Sequence, residues 1–315
     1  MPIALLKFPN DLLREVFRLC NPFELYKLSK YSKKFSQKAI TLGATKKWKI
    51  GFWCWNEITI CVDRSYYNFS QTDNPENYYK TIFGGCDNYM DIEFPNGGVV
   101  ELFLHLLDTF GIRIVHSLGI KFTNFEDFLK IAKDLVDRNI EIEQFAIEND
   151  GEVQDVVNFM PMLNQMNITQ ELQCSMKFPP DFHFDFVKYP REISISNSSW
   201  FTFDQLMDCT SARVELKNSL FTNHDLDVFL QKWKKTGTFP NLRRLRIHSI
   251  QIDIESPIQE MILPIQNVDN PMIRVLMRNY IYPNIFNPVR VSKDDGTEGW
   301  LKVDVGNWPE FNFLM

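Results

Sequence analysis

Cysteine is scarce in this chain of 315 residues: there are six, with no CxxC and no pair closer than Cys54 and Cys61. Secreted disulfide frameworks are denser and more regular, so reduced thiols inside a cell, in the cytoplasm, the nucleus or both, are the expectation. Zinc sites need closer cysteines or a completing histidine pair, so no metal and no other cofactor is assigned. Glycine and proline number only 13 and 16, too few for a fibrous or low-complexity chain. Positive charge is also short, with 34 Lys and Arg against 40 Asp and Glu. The net charge of −6 argues against a nucleic-acid partner, which calls for a basic excess. Long apolar runs are missing too. The opening Met-Pro-Ile-Ala-Leu-Leu is too short for a secretory segment, and Val99–Val115 is interrupted by Glu101, His105, Asp108 and Arg113, so no membrane partner is expected. No GxSxG, HExxH, P-loop or GxGxxG pattern occurs, and the thiol of Gly84-Gly85-Cys86 has no histidine assigned to it. No catalytic residue is named, and the chain is expected not to be an enzyme.

Apolar and aromatic side chains are plentiful: 44% of residues are hydrophobic and 27 are Phe, enough for a folded core of one large domain or two ordinary ones. Near the start, Pro9-Asn10-Asp11 reads as a helix opening, and Leu12, Leu13, Val16, Phe17 and Cys20 fall on one helical stripe. Asn21-Pro22 ends that helix and begins another carrying Phe23, Leu25, Tyr26 and Leu28. A third short helix is expected through Phe35 to Ile40. Three such helices cannot close a good core alone, so the segment is expected to dock on something.

The order Phe8-Pro9, Leu12-Leu13, Val16-Phe17, Cys20, Pro22-Phe23-Glu24-Leu25, Leu28-Ser29 and Ser32-Lys33-Lys34-Phe35 resembles the F-box, above all its nematode form; Phe35 stands where many F-boxes carry Trp. The resemblance implies a helical module inserted into a Skp-type adaptor and linked through it to a cullin. Its adaptor surface would comprise Phe8, Pro9, Leu12, Leu13, Val16, Phe17, Pro22, Phe23, Leu25 and Leu28. Periodicity alone is equally compatible with a helical cap packed on the rest of the chain.

Residues 46–105 read as a β-rich connecting segment. From there to about residue 250 short strands recur, at His116–Phe122, Glu143–Glu148, Glu171–Met176, Glu192–Asn197, Arg213–Asn218 and Arg243–Ser249, at the spacing of leucine-rich or related α/β repeats. Helical stripes run from Phe125 to Val136 and from Leu226 to Trp233. The stretches around Phe201–Met207, Arg213–Asn218, His224–Trp233 and Asn241–Ile247, with a closing hairpin of Val289–Val291 and Trp300–Val305, are similar to the F-box-associated domain found downstream of nematode F-boxes. The expected fold is thus mixed α/β: a three-helix F-box (1–45), the β-rich segment (46–105), an irregular leucine-rich-repeat-like body (106–250) and a hairpin cap (251–315).

Strand alternation points Phe145, Ile147, Ile193, Ile195, Val214, Leu216, Leu245 and Ile247 inward, and Gln144, Ala146, Ser194, Glu215 and Arg246 outward. Lys121, Gln144, Gln173, Ser194, Glu215 and Arg246 are the expected lining of an open face that touches a protein target, beside the plainer reading of a solvated sheet face. Lys232, Lys234, Lys235, Arg243, Arg244 and Arg246 form the densest basic cluster, read as a solvated helix end with its neighbouring strand or as a hook for an acidic or phosphorylated segment. The resemblance implies a substrate receptor of a Skp–cullin–F-box ubiquitin ligase. The alternative is an interaction module that binds the adaptor or another partner without ubiquitylation.

Overall fold

A computed structural model describes residues 5–52, 57–120, 125–148, 152–235, 237–269, 272–274 and 284–315. The architecture is mixed α/β with eight α-helices among the described residues. The chain divides into two compact units, Met1–Ala146 with Gln165–Ile168, and Ile147–Asn164 with Thr169–Met315. That division falls inside the segment expected as a single body over 106–250.

The first unit begins with α1 (Asn10–Leu19), α2 (Pro22–Tyr31) and α3 (Lys33–Thr41), the three helices foreseen from the stripes. Asn21 closes a capping box at the start of α2: its side chain accepts from Glu24 N at 3.0 Å, and the Glu24 carboxylate accepts from Asn21 N at 2.8 Å. Five strands then follow, β1 (Lys49–Phe52), β2 (Glu57–Val62), β3 (Ser65–Gln71), β4 (Thr81–Gly84) and β5 (Asp87–Ile92). After them come α4 (Gly98–Phe110), β6 (Ile114–Ile120), α5 (Phe125–Asp137) and β7 (Glu141–Ile147). The strand order is β4-β5-β3-β2-β1-β6-β7. Strand β1 runs parallel to β6 and antiparallel to β2.

The docking demanded by three short helices is met within this unit. Phe23 of α2 sets its ring edge-on against Tyr67 and Phe69 of β3, each at 5.2 Å, and Tyr26 meets Phe69 at the same distance. The helix α4 takes up most of the Val99–Val115 stretch, whose end enters β6, with Val100, Leu102, Phe103, Leu106, Leu107 and Phe110 buried. It ends at Gly111, whose φ of 61° suits glycine and where a Cβ would stand 3.0 Å from Ile40 of α3.

The second unit contains α6 (Val153–Leu163), β8 (Asn167–Cys174), β9 (Glu192–Ile195), α7 (Phe203–Asp208), β10 (Arg213–Ser219), α8 (Asn223–Lys234) and β11 (Arg244–Ser249). A short pair follows, β12 (Ile273–Arg274) with β13 (Asn284–Ile285), and then β14 (Val289–Ser292), β15 (Glu298–Asp304) and β16 (Glu310–Leu314). The order is β8-β9-β10-β11-β16-β15-β14. Strands β8 to β11 are parallel, while β16 and β15 continue antiparallel. The foreseen hairpin is β14–β15, with Gly296 at φ 85° in its turn.

Between β8 and β9 no helix forms. Phe178, Phe182, Phe184, Phe186 and Trp200 fill that space instead, with Phe178 and Phe182 stacked at 4.0 Å. This is where part of the phenylalanine excess goes. On the far side, Trp233 of α8 is fully buried and meets Phe313 at 4.8 Å. Gly299 of β15 must be glycine there, because a Cβ would lie 2.8 Å from Phe313 and 3.0 Å from Trp233.

Successive turns of the second unit are stitched at both strand ends. Asn218, at φ 53°, donates its amide to Ser196 O at 3.0 Å, and Asn197 donates to Ser175 O at 2.7 Å. At the entering ends, Arg243 N bonds Ala212 O, and Ala212 N bonds Arg191 O, both at 2.7 Å. The two asparagine amides reach carbonyls at the bends, while Arg191 O and Ala212 O each accept a second N–H, from Arg213 and Arg244.

Candidate functional site

The outward residues of β8 to β16 form a transverse row. Gln173 pairs with Ser194, Ser194 with Glu215, Glu215 with Arg246, and Arg246 with Asn312. Alternation places the row opposite the core, since Ile193, Ile195, Val214, Leu216, Leu245 and Ile247 on the other face are all buried. Four of the six expected target residues are thereby brought together. Gln144 stands on β7 in the first unit, and Lys121 lies outside the described residues. Strand β7 also departs from simple alternation, because Ala146, expected outward, is buried beside Phe145 and Ile147.

The row is not an open set of hooks, however. Glu215 is 7% exposed and is held by Arg213 at 2.9 Å and Arg246 at 3.3 Å, with Lys217 at 3.8 Å. Arg246 forks onto Glu310, with Nε to Oε1 and Nη2 to Oε2 both 2.8 Å. His248 Nε2 lies 2.8 Å from Glu310, and Arg213 reaches back to Glu192 at 3.5 Å. Glu215 and Arg246 are therefore engaged with each other and with Arg213 and Glu310 on this face. Register explains this: β10, β11 and β16 bring opposite charges side by side at the pair spacing where they attract. Gln173 and Lys217 are the exposed members that remain.

A second charged centre sits in the first unit. Glu143 of β7, 8% exposed, accepts from Lys49 Nζ at 2.7 and 2.9 Å and contacts His116 Nδ1 at 2.9 Å. Beside it Lys46, Lys47, Cys61 and Tyr66 line a cavity of about 450 Å³. Partial burial pushes the Cys61 thiol up to about 12, which suits an unreactive thiol rather than a nucleophile.

For both Glu143 and Glu215, burial favours the protonated form, yet hydrogen bonds and neighbouring cations bring each carboxyl below its ordinary range. Lys49 and His116 do so for Glu143, and Arg213 with Arg246 and Lys217 for Glu215. A depressed carboxylate contributes stability that is complete above its unfolded value and is lost as pH falls through the folded one. The melting temperature is thus expected to hold from pH 7 to about 5 and to fall below about 4.5. In scanning calorimetry from pH 7 to 3, Glu143→Gln should start lower and lose less on acidification; an unchanged acid slope would rule this carboxylate out as a source.

The expected adaptor residues divide by exposure. Leu13, Phe17, Pro22, Phe23 and Leu25 are buried in the chain's own interior. Val16 and Leu28 are half-buried, whereas Phe8, Pro9 and Leu12 are exposed. The outward stripe of α1 also includes Leu19, 84% exposed, which the sequence reading passed over. Phe8, Leu12, Val16 and Leu19 recur at helical spacing, so the signal was present but merged with the inward stripe of Leu13 and Phe17.

The basic cluster is divided as well. Lys232 and Lys234 lie in the last turn of α8, where cations complement the helix end, and Lys234 bonds Gln259. Arg243 is exposed, while Arg244 and Arg246 belong to the polar sheet face. Among the described residues no group of three or more His, Cys, Asp or Glu is arranged to hold a metal ion. No described helix is long and apolar enough to cross a membrane.

The family model described as "F-box associated" matches residues 181–247, which run from the aromatic-filled segment through α7, β10 and α8 into β11. The match does not reach the N-terminal helices. The Skn-1 dependent zygotic transcript 15 protein of Caenorhabditis elegans is similar, 23% identical over 186 residues that cover 57% of this chain and 52% of that protein. The chain thus spans about half the length of the curated relative it matches. No solved structure matches.

Proposed function

We propose that the chain is the substrate-recognition subunit of a Skp–cullin–F-box ubiquitin ligase. The F-box-associated match over residues 181–247 carries this reading, because it lies within the second unit and its description points to association with an F-box. The N-terminal helices add support: they bury one apolar face inside the chain and leave Phe8, Leu12 and Leu19 outward, as a helix-in-groove contact with an adaptor requires. We read the stitched parallel strands as an irregular leucine-rich-repeat-like array whose polar face meets the target. The chain contributes proximity rather than chemistry, holding a target lysine near a charged conjugating enzyme.

The test is reconstitution of the purified chain with a Skp-type adaptor and a cullin, followed by capture from cells. Recovery of both proteins, with ubiquitin transferred to a captured protein, is the expected result. Adaptor bound without transfer would select the non-ubiquitylating interaction module, and no adaptor bound would remove the F-box reading.

A further inference from the structure

The sheet of the first unit has a face turned away from its N-terminal helices. Tyr67 and Phe69 meet Phe23 of α2, and Ile58 and Ile60 are fully buried, so Tyr66, Asn68, Thr59 and Cys61 point the opposite way. The cavity of about 450 Å³ lies on that face. The turn before β1 brings Lys46 and Lys47 into its lining, and Lys49 joins them from β1, in register with Cys61. Lys46 and Lys47 are exposed, and among the described residues neither side chain makes a hydrogen bond or an ion pair. His116, also in the lining, is held through Nδ1 by Glu143, which leaves Nε2 as the ring nitrogen without a protein partner. Tyr66 adds a phenol.

Three ammonium groups at this cavity face two carboxylates, Asp63 in the lining and Glu143 against Lys49. One positive charge is in excess, and a proton on His116 Nε2 makes it two, the charge of a phosphate monoester. The donors point the same way. Two ammoniums, an imidazole nitrogen and a phenol outnumber the two oxygens of a carboxylate and suit the three terminal oxygens of a phosphate. A second cavity, of about 400 Å³, adjoins the first and shares Cys61, Tyr66 and His116 with it. Its own lining includes the carboxylates Glu57 and Asp87, which would repel further phosphates. Asn68 and the 39% exposed Tyr89 in the same lining suit an uncharged carrier.

We propose that this face of the first unit binds a phosphate monoester, with the phosphate at Lys46, Lys47 and His116 and its uncharged carrier over Tyr89. A phosphorylated side chain and a nucleoside monophosphate share that chemistry. The site lies apart from the exposed stripe of α1 and from the second unit, so it depends on neither the adaptor reading nor the target reading.

Isothermal titration of the full chain tests this with blocked phosphoserine and phosphotyrosine peptides, their unphosphorylated counterparts, AMP, ATP and inorganic phosphate. A phosphopeptide or AMP is expected to bind, and the tighter of them identifies the source of the monoester. Lys46→Gln combined with Lys47→Gln should melt with the parent chain, since both side chains are exposed, and should bind that ligand at least about tenfold more weakly. Asp63→Asn, which removes the opposing charge, should tighten binding about two- to fivefold. Lys232→Gln with Lys235→Gln, the same change of charge in the second unit, should leave the affinity unchanged. The assignment is overturned if neither ester binds, or if inorganic phosphate or an unphosphorylated peptide binds as tightly. It is equally overturned if ATP binds more tightly than AMP, if the Lys46 and Lys47 double variant binds like the parent, if Asp63→Asn weakens binding, or if the Lys232 and Lys235 variant loses as much.

Discussion

A chain carrying Leu12→Glu and Leu19→Lys is expected to lose adaptor binding by several hundred-fold while melting at the same temperature as the parent. Both leucines are exposed, so replacing them removes no core contact. The replacements also suit the helix. Glu at position 12 lies near the start of α1 and Lys at 19 at its end, the signs that the helix dipole favours. An apolar anchor buried in a partner's groove is worth about 2 kcal/mol, or roughly 30-fold, and two such anchors multiply to several hundred-fold. Titration of immobilised chain with purified adaptor measures this directly. Unchanged affinity would mean that the outward stripe of α1 is not the docking face. A charge at Phe17, by contrast, would be placed in the interior of the first unit, where that side chain is fully buried, and would unfold the chain rather than report on docking.

Local grammar made much of the fold legible. The junction at Asn21-Pro22 and the stripes of α5 and α8 all act within a turn or two of chain, and each lies where the pattern put it. What local grammar does not carry is the pairing between distant segments. Strand β16 enters between β11 and β15, and no property of Glu310–Leu314 alone says so. That insertion supplies Glu310 to Arg246, so the closing of the charge ladder was invisible for the same reason. Helix α7, only six residues long, is too short to show a period, and α6 carries Pro161 inside it, which reads as a break.

The two apolar faces of α1 expose a different limit. Leu12 and Leu13 are neighbours in sequence and alike in chemistry, yet one is half-exposed and the other has no exposure at all. A stripe at i, i+1, i+4, i+5 and i+8 is wide enough to serve two surfaces, and only the position of the sheet beneath decides which half is interior. The same holds along β10 and β11. Alternation finds the outward residues, whereas strand register decides that Glu215 and Arg246 meet.

Phe23→Ala should lower the first thermal transition by about 10 °C and release the N-terminal helices to protease. Truncating a fully buried Phe costs about 3–5 kcal/mol, and in a unit of this size each kcal/mol moves the midpoint by about 2–4 °C. Phe23 is 1% exposed and makes edge-on contacts with Tyr67 and Phe69, so the cavity opens between α2 and β3. The adjoining Tyr26–Phe69 contact would be left to hold the helix to the sheet. Tryptic cleavage after Lys30, Lys33 or Lys34 then reports local release, and it should accelerate in parallel with the drop in midpoint. Phe23→Leu, which keeps most of the volume, should recover most of both. Adaptor binding by Phe23→Ala should return on cooling below its transition, because Phe23 holds up the helices that dock without itself facing the partner. Persistent loss of binding in the cold, with the helices still protected, would instead place Phe23 in the adaptor contact itself.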